Sequence, residues 1–209
     1  MRRFGTCVAA AVVATVGLAA AAQQSVPMRN GIPVAPQGIV VSKLPEGPFL
    51  YATAEGQDIR VVVHTRGLSH PWSVAFLPSG EMLVTERGGQ VRVVRDGRLD
   101  PTPVPGVPAV RVAGLSGLFD VVLHPQFATN RYVYLSYNKP VGERDNALGI
   151  ARGVWNGRAL TDVRDIFVTT DTSSVSRLAF GRDGKLYAST FGNAGDGSAA
   201  QNPMSLAGK

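Results

Sequence analysis

The sequence predicts an all-β protein on three observations. Short β-branched runs alternate with turn residues, no segment carries an amphipathic helix of three turns, and one strand-turn-strand phrase keeps returning. The 209 residues include 24 Gly and 14 Pro, which sit poorly inside helices. With 44% hydrophobic and 17% charged residues the chain has a globular composition.

The elements follow in order. "MRRFGTCVAAAVVATVGLAAAAQQ" has two arginines, an apolar run from Phe4 to Leu18 and small residues before Gln23. It reads as a secretory signal peptide over residues 1–22, cleaved after Ala22, and its apolar run falls short of the ~20 residues that span a bilayer. Cys7, the sole cysteine, lies inside it, so the mature chain is expected to have no disulfide. Residues 23–57 are rich in Pro, Gly and polar residues without a sustained period and read as a leader that wraps a surface.

From residue 58 to 209 the texture is that of strands. "IRVVVHT", "SVAFLP", "EMLVTER", "QVRVVRDG", "FDVVLHP", "YVYLSYNK", "GIARGVWNG", "RDIFVTT", "SRLAFGR" and "KLYASTF" are bounded by Gly, Pro, Asp or Asn. Phe76, Leu123 and Phe180, each at the end of the first strand of a phrase, stand 47 and 57 residues apart. Repeats of this size built from short antiparallel strands predict the blades of a β-propeller, of which about the first three are present. A β-sandwich gives no reason for the phrase to return. Closure of a ring takes roughly four to eight blades, so the sequence reads as the N-terminal half of a longer chain.

The formal net charge is +6. Without Arg2 and Arg3 the mature chain carries about +4, its arginines scattered without aromatic interleaving, which argues against nucleic acid and leaves room for an anionic small molecule.

Ordered phrases after the leader resemble one family. His70-Pro71-Trp72, the Phe76-Leu77-Pro78 turn, Val84-Thr85-Glu86-Arg87, Leu118-Phe119-Asp120-Val121, Leu123-His124-Pro125 and the strand from Asn130 to Tyr137 are similar to the soluble PQQ-dependent sugar dehydrogenases, the aldose and glucose/sorbosone dehydrogenase family. The likeness continues through "ALTDVRDIF" and "SRLAFGRDGKLY" to "AQNPMSLAGK". It implies a six-bladed periplasmic propeller holding pyrroloquinoline quinone (PQQ) and calcium. It also implies oxidation of an aldose at the anomeric carbon to a lactone, with electrons passed to an external acceptor. Such chemistry needs a base for the hydroxyl proton, cationic and amide donors for the three carboxylates of PQQ, and oxygen ligands for calcium.

Set against the family pattern, the site positions depart. The position of the catalytic histidine, counted back from Arg177-Leu178, is Ser173. A glutamine that contacts the cofactor is replaced by Leu115, and the variable position of a Gly-Asp-x-Gly segment falls on Asn193 and Ala194. These losses raise a second reading, a non-catalytic propeller that binds a sugar or a partner protein. An arginine-asparagine pair and the calcium loop are implied to lie beyond Lys209, so no metal ligand is expected in this chain.

Arg87, Arg177 and Asn193 remain as candidate cofactor contacts. Glu86 is the weaker half of Glu86-Arg87, since adjacent strand residues face opposite ways. His70 and His124 read as structural, and His64 as a surface residue of a strand. "NAGDGSAAQN" lacks the dense oxygen spacing of a calcium loop despite Asn193 and Asp196, and "GLSGLF" is no phosphate cradle, because no helix follows it.

Overall fold

A computed structural model describes residues 47–114, 116–143, 145–169, 174–191 and 197–209, with two short strands before them. The segment read as a signal peptide lies outside the described residues. The chain divides into two compact units, Met1–Glu46 and Gly47–Lys209. In the first, strand β1 (Met28–Arg29) pairs antiparallel with β2 (Ile32–Pro33).

The second unit is built of antiparallel sheets. A hairpin of β3 (Phe49–Tyr51) and β4 (Ile59–Val61) opens it. A four-stranded sheet follows, formed in order by β5 (Pro71–Phe76), β6 (Met82–Glu86), β7 (Gln90–Arg95) and β8 (Arg98–Leu99). The next has the same order: β9 (Leu118–Leu123), β10 (Tyr132–Val141), β11 (Asp145–Trp155) and β12 (Leu160–Val168). A third begins with β13 (Ser174–Phe180) and β14 (Leu186–Phe191). These are two blades and the start of a third. The only helices among the described residues are one turn of α-helix, α1 (Phe127–Asn130), and a 3₁₀ segment at Gly197–Gln201.

Alternation along β10 explains the stacking. Val133, Leu135 and Tyr137 point to one side and are buried with Leu83, Val91 and Val93 of the first blade and Leu118, Val121 and Trp155 of their own. Tyr134, on the other side, is buried with Leu148, Ile150 and Leu178, where the third blade packs. A sheet covered on both faces carries apolar residues at consecutive positions, each fully buried aliphatic contributing about 1.5–3 kcal/mol.

The repeat seen in the sequence is the spacing of contacts between blades. Ser73 and Asp120, 47 residues apart, are hydrogen-bonded, and Asp120 reaches Arg177, 57 residues on, at 3.4 Å. Trp72 meets Phe119 edge-on at 5.4 Å, and His124 meets Phe180 at 5.3 Å. The innermost strands β5, β9 and β13 therefore lie side by side and run the same way.

Two expected strands differ in extent. The run from residue 59 to 65 is strand only at Ile59–Val61, so His64, though exposed as expected, is in a loop. β12 starts at Leu160, which pairs with Trp155 of β11 and so extends the strand back from the expected residue 164, while its N–H donates to the Pro105 carbonyl at 2.9 Å.

Candidate functional site

Because β5, β9 and β13 run in parallel, their first residues share one end of the blades, called here the mouth. Pro71, which opens β5, pairs with Glu86, so the turn from β6 to β7 also stands there, and Ser174 pairs with Phe191 at the end of β14. The segments that the family resemblance marks as a site immediately precede β9 and β13 and follow β14. Leu115, Ser173, Asn193, Ala194 and Asp196 themselves lie outside the described residues.

Arg87 is the predicted residue that the structure places at the mouth. Its N–H donates to the His70 carbonyl at 3.1 Å, and its carbonyl accepts from Leu118 N–H at 3.1 Å. Its guanidinium donates through Nη1 to the Gly114 carbonyl, so one residue ties the entrances of β5 and β9. Gly117 is required here: a Cβ would overlap the Arg87 backbone. Glu86, the neighbour, is the opposite case, only 2% exposed. Its Oε1 accepts from Ser69 N–H at 2.5 Å, and its Oε2 lies 3.4 Å from Arg92 Nη1. That geometry makes Glu86 an anchor for the strand entrance.

Arg177 sits deeper, on β13, and crosses the inner margin of all three blades. Its guanidinium lies 3.4 Å from Asp120 on β9 and 6.0 Å from the Trp72 ring on β5, and its side chain is 62% exposed. Beneath it Asp120 is saturated: Oδ1 accepts from the Ser73 hydroxyl and Val121 N–H, and Oδ2 accepts from Leu178 N–H at 2.6 Å. This carboxylate locks the three innermost strands in register. Sequence reading passed over it, although its distances of 47 to Ser73 and 57 to Arg177 are those of the repeat.

The histidines separate by end. His124 follows β9 at the far end, where Nδ1 accepts from Gln126 N–H at 3.0 Å and the ring packs on Tyr132, Tyr134 and Phe180. Those contacts are the ones that hold the ring in place. His64 is at the far end too, its carbonyl 3.0 Å from where a Cβ of Gly97 would stand. His70 is exposed at the mouth, with a left-handed φ of 48°.

Two guanidiniums, that of the half-buried Arg87 and that of the exposed Arg177, thus stand toward one end of an otherwise hydrogen-bonded wall, a donor set that fits carboxylate groups. Among the described residues no three His, Cys, Asp or Glu come together as a metal site, so calcium finds no such cluster here.

The comparisons with known proteins agree with this architecture. A family model described as Glucose / Sorbosone dehydrogenase matches residues 68–209. The aldose sugar dehydrogenase YliI of Escherichia coli (strain K12) is 39% identical over 137 residues, which are 62% of this chain and 36% of that protein. An uncharacterized protein of Synechocystis sp. is 39% identical over 143 residues, 65% of this chain and 34% of that protein. Among solved structures, the PQQ-bound aldose sugar dehydrogenase of Streptomyces coelicolor aligns with a TM-score of 0.62 and 28% identity, covering 79% of this chain and 48% of that one. A glucose dehydrogenase aligns with a TM-score of 0.63 and 34% identity, covering 68% and 43%. The chain spans about a third of the length of the curated relatives it matches. With two blades, the start of a third and a family match over residues 68–209, the chain belongs to the glucose/sorbosone dehydrogenase family of β-propeller oxidoreductases.

Proposed function

We propose that this chain serves the PQQ-dependent oxidation of an aldose at its anomeric carbon, giving a lactone, in an exported periplasmic protein. The observation that carries the reading is the mouth. In a chain of this family, the entrances of the innermost strands converge there with the half-buried Arg87 and the exposed Arg177. Bound PQQ would supply the acceptor for the two electrons and the hydrogen that leave carbon. Arg87 and Arg177 would hold carboxylate groups of that cofactor. The Gly114 carbonyl braces the first guanidinium and Asp120 the second, which leaves each with further N–H donors. The electrons would pass to an external acceptor. Calcium is assigned to no residue of this chain.

The signal-like N-terminus supports export, and among the described residues no helix is long and apolar enough to cross a membrane. The replacements at Ser173, Leu115 and Ala194 favour the second reading, a propeller that binds a sugar or a partner protein without turning it over.

The test mixes the full-length protein with PQQ and calcium, follows quinone absorbance through gel filtration, and then measures dye reduction with a panel of aldoses. Retained quinone and sugar-dependent reduction are expected. Arg87→Ala and Arg177→Ala should each weaken PQQ binding by about 10- to 100-fold, the worth of one charge-assisted hydrogen bond. Failure to retain PQQ would sink the reading and leave the non-catalytic one.

A further inference from the structure

The proposed oxidation needs a group that takes the proton of the anomeric hydroxyl. The position that the resemblance assigns to it is Ser173, and a serine hydroxyl does not accept a proton near neutral pH. The chain has three histidines, all among the described residues. His124 is engaged by Gln126, Asn130 and three aromatic rings at the far end, and His64 is at that end as well. His70 alone is at the mouth.

Its local geometry is that of a placed side chain. The left-handed backbone, φ 48°, is a conformation that non-glycine residues seldom adopt and that needs surrounding structure to hold it. Here the support is visible: the His70 carbonyl accepts from Arg87 N–H, while Ser69 N–H donates to the buried Glu86 carboxylate at 2.5 Å. The ring is not packed in the core. It remains exposed, with Nδ1 3.2 Å from Ser69 Oγ, and Nε2 has no hydrogen-bond partner among the described residues. When Nδ1–H donates to Ser69 Oγ, the lone pair is on Nε2, the tautomer a base requires.

We propose that His70 is the proton acceptor of this chain, with Ser69 as the positioning residue that sets its tautomer. The inference rests on the PQQ reading given above. The proton of the anomeric O–H passes to Nε2. Bound PQQ would take the hydrogen on C1 with its electron pair, and the C1–O bond would become the lactone carbonyl. The charged groups around His70 are Glu86 beneath Ser69, Arg92 on Glu86, Arg87 in the neighbouring turn and Arg177 against Trp72.

The test uses the full-length protein with PQQ and calcium and two variants that tolerate the left-handed backbone, His70→Asn and His70→Gly. Both are expected to retain PQQ as the wild type does, by quinone absorbance after gel filtration, and to lose kcat by about 10²- to 10⁴-fold. Added imidazole should restore part of the rate in His70→Gly alone. The His70 ring signals in the NMR spectrum should move when an aldose is added to the wild type. Ser69→Ala should change the pH profile of kcat, and Ser69→Thr should restore it. A wild type that oxidises sugar while His70→Asn keeps its rate within twofold overturns the assignment and leaves the PQQ reading standing. A wild type that retains PQQ and forms no lactone overturns both, and one that does not retain PQQ defeats the underlying reading first.

Discussion

Asp120 shows how much one buried carboxylate can organise. Only 3% exposed, it accepts from one hydroxyl and two backbone N–H groups and faces one guanidinium, and these partners come from β5, β9 and β13. Replacing it with alanine strands the Leu178 N–H in a buried place and frees Ser73 and Arg177 at once. Each unsatisfied buried group costs about 1–3 kcal/mol. Asp120→Ala is therefore expected to lower stability by about 3 kcal/mol in urea unfolding, chiefly through the lost hydrogen bonds to Ser73 and to the Leu178 N–H. Asp120→Asn keeps one acceptor oxygen and should cost less. Equal, negligible losses in both variants would show that the inner strands hold register without this residue.

Within an element, the pairing of Gly149 on β11 with Tyr137 on β10 is a comparable dependence. A Cβ at Gly149 would stand 2.8 Å from the Tyr137 ring. That ring has little room to give, because it is buried and its hydroxyl donates to Asp165 Oδ1 at 2.5 Å. Burial first, then the bond to Asp165, keeps the phenol protonated well above its ordinary range. Gly149→Ala should destabilise by about 1–3 kcal/mol, the usual cost of overpacking, and Gly149→Val by more. Pairing it with Tyr137→Leu should recover part of the loss, and an additive double mutant would refute the contact as the cause. The strands themselves were legible wherever both faces are covered, as in β6, β7, β9 and β10, because burial writes apolar runs. β8 was missed because its two residues, Arg98 and Leu99, are too few to carry a period. The start of β12 was placed late because that strand is outermost in its sheet and mostly exposed, so little in its side chains records the pairing.

At the scale of the molecule, the repeat spacing was the most legible feature, since equivalent positions in successive blades touch. The mouth was legible only through family resemblance: Arg87 and Arg177 are ordinary strand and turn residues in sequence, and the left-handed backbone of His70 leaves no trace in composition. The same radial stacking also has a cost. The first blade presents Trp72, Val74 and Phe76 on its open face, Phe76 at 68% exposure, around a groove that includes Leu68 and Met82. On the third, Tyr187 and Phe191 are exposed on β14, which has no further strand beside it among the described residues. Contiguous apolar surface and an unpaired strand edge both favour association. The 209-residue polypeptide prepared alone is expected to bind a hydrophobic dye and to sediment as oligomers at micromolar concentration. Val74→Lys with Phe76→Lys should shift it toward monomer while its β-sheet circular dichroism persists, since both side chains lie outside the buried clusters. A wild-type polypeptide that sediments as a monomer without binding dye would mean that these faces are covered in solution.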